Sequence, residues 1–138
     1  MNEKLANVLV VDDDDIAVFL ATAVLERFDP EIAVKTAPNG EQALQLLESG
    51  QAGPVDLILL DVNMPLMDGY AFLDWYHESY PGDESGFKPC VAMYSTATWD
   101  EEVERTLEFP HVVDYIEKPL DFEKIEGLTR KLPPAAVH

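Results

Sequence analysis

Short apolar runs closed by polar residues, each followed by apolar residues at helical spacing, recur five times along this chain. The first, Val8-Leu9-Val10-Val11, is continuous and rich in β-branched residues, the composition of a strand buried on both faces. It ends in Asp12 to Asp15, and Ile16, Phe19, Leu20, Ala23 and Val24 then mark the apolar face of a helix. The aspartates at that helix start suit its capping needs and its N-terminal dipole. Residues 31–37 read as a second strand. Asn39 then caps a helix with Gln42 three residues on and Gly50 beyond its end. Val55 to Leu60 is the third strand, ending at Asp61, and a loop leads to a helix through Phe72, Leu73 and Tyr76. Residues 80–89 hold two prolines and two glycines and read as a surface loop.

Cys90 to Tyr94 is the fourth strand, ending at Ser95-Thr96, and Asp100 to Leu107 reads as a polar helix. Val112 to Ile116 is the fifth strand, running into Lys118-Pro119. Phe122, Ile125, Leu128 and Leu132 trace one face of a last helix, and residues 133–138 form a tail. Strictly alternating strands and helices predict an α/β fold, a parallel sheet with helices on both faces. With 138 residues and no linker or internal repeat, a single domain over residues 1–132 is expected.

In open parallel sheets the functional groups gather at the carboxyl ends of the strands. Those ends carry Asp12 and Asp13, Asp61, Ser95 and Lys118. Two carboxylates about 5 Å apart repel by roughly 3 kcal/mol at an effective dielectric near 20, so three in one crevice call for a cation. Oxygen ligands with open water positions suit Mg²⁺ better than a complete Ca²⁺ cage.

Composition narrows the partners. Nine basic residues against 27 acidic ones leave a net charge of -18, which repels nucleic acid and anionic lipid. The single cysteine, Cys90, excludes an internal disulfide and is expected to pack as a small hydrophobe. His77, His111 and His138 show no metal-ligand spacing. With no signal peptide and no apolar run long enough to span a bilayer, a soluble cytoplasmic protein is expected.

The segments VLVVDDDD, LILLDVNMPLMDG, VAMYSTA and DYIEKPL, in that order, resemble the receiver domains of two-component response regulators over about Asn7 to Leu132. The resemblance implies a flavodoxin-like doubly wound fold with a five-stranded parallel sheet in the order 2-1-3-4-5. It implies Asp61 as phosphoacceptor, taking a phosphoryl group from a histidine kinase or a histidine phosphotransfer protein. It also implies Mg²⁺ bound by Asp12, Asp13, Asp61 and the backbone carbonyl of Asn63. Lys118 then pairs with the phosphoryl oxygens, Pro119 matches the family's cis-proline, and Ser95 and Tyr115 take the switch positions. Thr96 stands where the family usually carries a smaller residue, a departure that bears on the phosphoryl lifetime and not on the identity of the site.

A carboxylate is a competent nucleophile for acyl phosphate formation, and the rest of the chemistry is positioning and charge neutralisation. No separate substrate turnover is expected, and with only a short tail after the last helix the output is expected to be a protein contact. The face formed by the helix after strand four, strand five and the last helix is strongly acidic, which fits a partner with a basic patch. A monomer, or a weak phosphorylation-dependent dimer, is the expected state. Two alternatives are a receiver-like docking module that is never phosphorylated and an aspartyl-phosphate phosphohydrolase. Against the second, such enzymes carry another acid two residues after the nucleophile, where this chain has Asn63.

Overall fold

The computed structural model describes residues 5–61, 69–82, 88–95, 104–105 and 107–132. Five strands form one sheet: β1 (Asn7–Val11), β2 (Ala33–Ala37), β3 (Leu57–Leu60), β4 (Cys90–Ser95) and β5 (Val112–Glu117). All neighbours pair in parallel, in the order β2-β1-β3-β4-β5. Four helices are described: α1 (Asp15–Phe28), α2 (Gly40–Ser49), α3 (Gly69–Glu78) and α4 (Phe122–Lys131). The expected α/β class and strand order are therefore observed. Of the helix expected over 100–107, residues 104–105 are helical and 107 lies in a turn; the other positions are outside the described residues.

Alternate residues of the sheet feed two separate cores, as the period of two requires. Leu9, Val11, Ile58, Leu60, Val91 and Met93 face α2 and α3, where Ala43, Leu47, Phe72, Leu73 and Tyr76 meet them. Val8, Val10, Leu57, Leu59, Ala92 and Tyr94 face α1 and α4, where Ala21, Leu25, Ile125 and Leu128 meet them. β3 is buried along its whole length, which explains why its sequence is apolar without alternation. Each such leucine contributes roughly 1.5–3 kcal/mol by leaving water.

The helix ends follow local rules. Asp14 caps α1 by accepting from the Ile16 N–H at 3.0 Å. Asn39 caps α2 by accepting from the Gln42 N–H at 2.8 Å. Gly50 closes α2 at φ 79°, a left-handed conformation that a side chain would strain.

Two expectations need correction. The buried side of α1 is Ala17, Ala21 and Leu25, whereas Ile16 and Phe19 are each 70% exposed and Leu20 48%. Both stripes have helical spacing. The small alanines let the helix lie close to the sheet, and the bulkier residues turn outward. Of the surface loop expected over 80–89, residues 83–87 lie outside the described residues, and its first residue is not at the surface: Tyr80 is buried and stacks on Tyr76 with ring centroids 5.4 Å apart. Lys88 donates from Nζ to the Tyr76 and His77 carbonyls at 3.0 and 3.3 Å, satisfying orphan acceptors at the end of α3.

Cys90 is buried in β4, as a small hydrophobe should be, and burial pushes its thiol pKa up. Among the described residues no helix is long and apolar enough to cross a membrane.

Candidate functional site: an acidic cluster at the strand ends

Because β1 and β3 are neighbours, their carboxyl ends deliver two aspartates side by side. The sheet ladder holds both backbones in place. The Asp12 N–H donates to the Ala37 carbonyl at 3.1 Å, and the Asp61 N–H donates to the Val11 carbonyl at 3.0 Å. Asp12 is 2% exposed and Asp61 6%, so neither is an ordinary surface acid. Asp13, one residue beyond Asp12, is exposed. Asp12, Asp13 and Asp61 each offer a carboxylate oxygen, and these three oxygens lie within 4.8 Å of one another. An all-oxygen set at that spacing, part buried and part open to water, fits a hard divalent cation that keeps several waters.

The counter-charge comes from the far end of the chain. Lys118 follows β5, and its side chain reaches past the end of β4 toward the cluster. Its Nζ donates to Asp12 Oδ2 at 2.6 Å and stands 3.7 Å from Asp61 Oδ2. The same ammonium lies 5.1 Å from the ring centroid of Tyr94, a cation–π contact that adds to its anchoring. Burial on its own would lower the Lys118 pKa. The Asp12 hydrogen bond and the charges of Asp61 and Asp12 outweigh it, so the pKa is raised. The other oxygen of Asp12, Oδ1, accepts from the Asp14 N–H at 3.0 Å, which fixes the carboxylate in two directions.

The remaining expected site residues divide by position. Ser95 closes β4 opposite Glu117, but its side chain is not among the described ones. Asn63 and Thr96 lie outside the described residues. Tyr115 is half-buried on β5, paired with Met93, and packs against the core on the α2–α3 side of the sheet. The Lys118–Pro119 peptide bond is cis, as the resemblance implies.

Three residues, two beside the site and one at the opposite ends of the strands, were not singled out in the sequence. Tyr94, fully buried beneath Lys118, reads there as one more apolar strand residue. Lys124 reads as a surface cation but is tied to the loop that carries Lys118. Asp56 is 2% exposed, and its Oδ2 accepts from the Ala6 and Asn7 N–H groups, both at 3.0 Å, stitching the start of β1 to β3. An acid inside an apolar run was the available signal for Asp56. For the other two there was none.

A parallel five-stranded sheet with acids after β1 and β3 and a lysine after β5 defines a doubly wound α/β domain with an acidic site at its strand ends. The chain belongs to the response regulator receiver domain family, whose sequence profile matches residues 8–130. It is 29% identical over 126 residues to a probable C4-dicarboxylate response regulator, DctR, of Priestia megaterium, covering 91% of this chain and 51% of the relative. The DctR of Halalkalibacterium halodurans is 31% identical, covering 91% and 50%. The chain thus spans about half the length of these curated relatives. Among solved structures, a two-component response regulator from Cytophaga hutchinsonii superposes with a TM-score of 0.82 at 24% identity, over 94% of this chain and 97% of that one. The chemotaxis protein CheY4 of Vibrio cholerae superposes with a TM-score of 0.72 at 26% identity, over 94% and 100%.

Proposed function

We propose that this receiver domain takes a phosphoryl group on Asp61 from a phosphohistidine of a histidine kinase or phosphotransfer protein. One observation carries the reading: Asp12, Asp13 and Asp61 converge within 4.8 Å, and Lys118 reaches both buried acids. An Asp61 carboxylate oxygen attacks phosphorus, the bond from phosphorus to the donor nitrogen breaks, and the imidazole leaves with the electron pair and takes up a proton. Asp12, Asp13, Asp61 and the Asn63 backbone carbonyl would hold Mg²⁺, which supplies charge neutralisation at the phosphoryl oxygens. Lys118 supplies a second positive charge and orients those oxygens.

The product adds about -1.5 to -2 charges and three acceptor oxygens at the rim. Ser95, at the end of β4, donates to one of them, and Tyr115 on β5 changes its packing in response. That shift of population is read by a protein partner, and the domain works as a signalling module in the cytoplasm. It takes part in its own phosphorylation and dephosphorylation and turns over no separate substrate.

The test is intact mass after incubation with acetyl phosphate, with and without Mg²⁺, for the wild type and Asp61→Asn. The expected result is a metal-dependent gain of one phosphoryl group, about 80 Da, absent in the variant. No gain from acetyl phosphate or from phosphorylated histidine proteins leaves the non-phosphorylated docking module as the reading.

A further inference from the structure

The backbone that carries Lys118 is gripped by a second lysine. β5 ends at Glu117 and Asp121 caps α4, so residues 118–120 form a three-residue connection. Lys124, in the first turn of α4, donates from Nζ to the Glu117 carbonyl at 2.7 Å and to the Pro119 carbonyl at 2.8 Å. These carbonyls lie immediately before and after Lys118. Lys124 is itself held, because its N–H donates to Asp121 Oδ1 at 2.8 Å and the next N–H, of Ile125, donates to the Asp121 carbonyl at 3.1 Å. Ile125 is fully buried, so the helix that bears the clamp is anchored in the core.

The choice of partner is informative in a chain with 27 acidic and nine basic residues. Carboxylates surround α4, yet this ammonium bridges two main-chain carbonyls. Either carbonyl would accept from water if Lys124 were absent, so the hydrogen bonds alone do not require a lysine. What water cannot supply is a rigid link from α4 to both sides of residue 118. The Lys118 side chain has four rotatable bonds, and its far end is guided by Asp12 and the Tyr94 ring. Its near end is guided by the backbone that Lys124 holds.

We propose that Lys124 is a positioning residue for Lys118, fixing the backbone from which that ammonium reaches the carboxylate cluster. The inference rests on the phosphoacceptor reading given above. Misplacing a catalytic group by about 1 Å can cost on the order of 100-fold, and partial loosening costs less.

The experiment is a double-mutant cycle on the rate of phosphorylation by acetyl phosphate with Mg²⁺, followed by intact mass. The proteins are the wild type, Lys124→Met, Lys124→Arg, Lys118→Met and the double variant Lys118→Met with Lys124→Met. Lys124→Met is expected to slow labelling roughly tenfold. Lys124→Arg restores most of the rate, because a guanidinium offers donors to both carbonyls. In the Lys118→Met background, Lys124→Met has no further effect, since residues acting through one another are not additive. Should Lys124→Met fail to fold, Lys124→Gln, whose neutral amide is shorter than the lysine side chain, takes its place in the cycle. The proposal is overturned if the Lys124 variant labels at the wild-type rate, or if it slows labelling by the same factor with and without Lys118. A wild type that gains no phosphoryl group from acetyl phosphate or from a phosphorylated histidine protein overturns the phosphoacceptor reading and this one with it, so the two failures are distinct.

Discussion

Lys118 makes its short contact with Asp12, at 2.6 Å, and stands farther, at 3.7 Å, from Asp61. The tight pair therefore joins the lysine to the acid after β1, and Asp61 after β3 is the outer partner. Lys118 and Asp12 are both largely withdrawn from water, with side-chain exposures of 12% and 0%. Breaking a buried pair from one side strands the other charge, which costs more than the pair itself contributes.

Lys118→Met should therefore destabilise the fold by about 3 kcal/mol, because Asp12 and Asp61 are left as neighbouring buried anions. Urea unfolding at neutral pH measures this. Millimolar Mg²⁺ should recover part of the loss by binding the folded acidic cluster and not the unfolded chain. An unchanged midpoint in the variant would show that the ion pair does not hold the site together.

The two stripes of α1 should respond very differently to substitution. Phe19→Ser and Ile16→Ser alter exposed positions and should change stability by no more than about 0.5 kcal/mol. Leu25→Ala removes a fully buried side chain from the α1–α4 core and should cost about 2–4 kcal/mol. Thermal and urea unfolding compare them directly, and a larger loss from Phe19→Ser than from Leu25→Ala would contradict the observed orientation of the helix.

His111 gives the fold a pH dependence of known sign. Its pKa is lowered by burial first, then by the charges of Lys88 and His77, and its ring meets Tyr76 edge-on. The unfolded chain takes up this proton near the ordinary value of about 6.5, while the folded chain resists until a lower pH. Unfolding therefore binds a proton, and stability falls as pH drops through about 6.5, levelling off below the folded pKa. His111→Gln should remove that slope, read as the wild-type minus variant difference in unfolding free energy between about pH 7 and 5.5. An identical slope in both proteins would assign the dependence to other groups.

Much of the site was legible because it sits at strand ends, and strand ends are local features. Val8 to Val11 followed by Asp12, and Leu57 to Leu60 followed by Asp61, needed only an apolar run and the polar residue that closes it. The caps at Asn39 and Gly50 were equally local. The face of α1 was not legible in the same way. Two stripes one residue apart satisfy the same period, and only contact with the sheet chooses between large residues and small ones. The boundaries moved slightly for a related reason: β2 begins at Ala33 and not at residue 31, because pairing with β1 begins there.

The amino-acid sequence by itself determined the alternation of strands and helices, and which acids and which lysine stand at the carboxyl ends of the strands. Hydrogen bonding and apolar periodicity within a few residues suffice for that. Tertiary structure alone decided which carboxylate Lys118 grips, which ring lies beneath it and which lysine steadies its backbone. Lys118 and Asp12 are 106 residues apart, and they meet because β1 lies within the sheet while β5 forms its edge three strands away. A side chain long enough to cross the end of β4 finds its partner only after that order has been built.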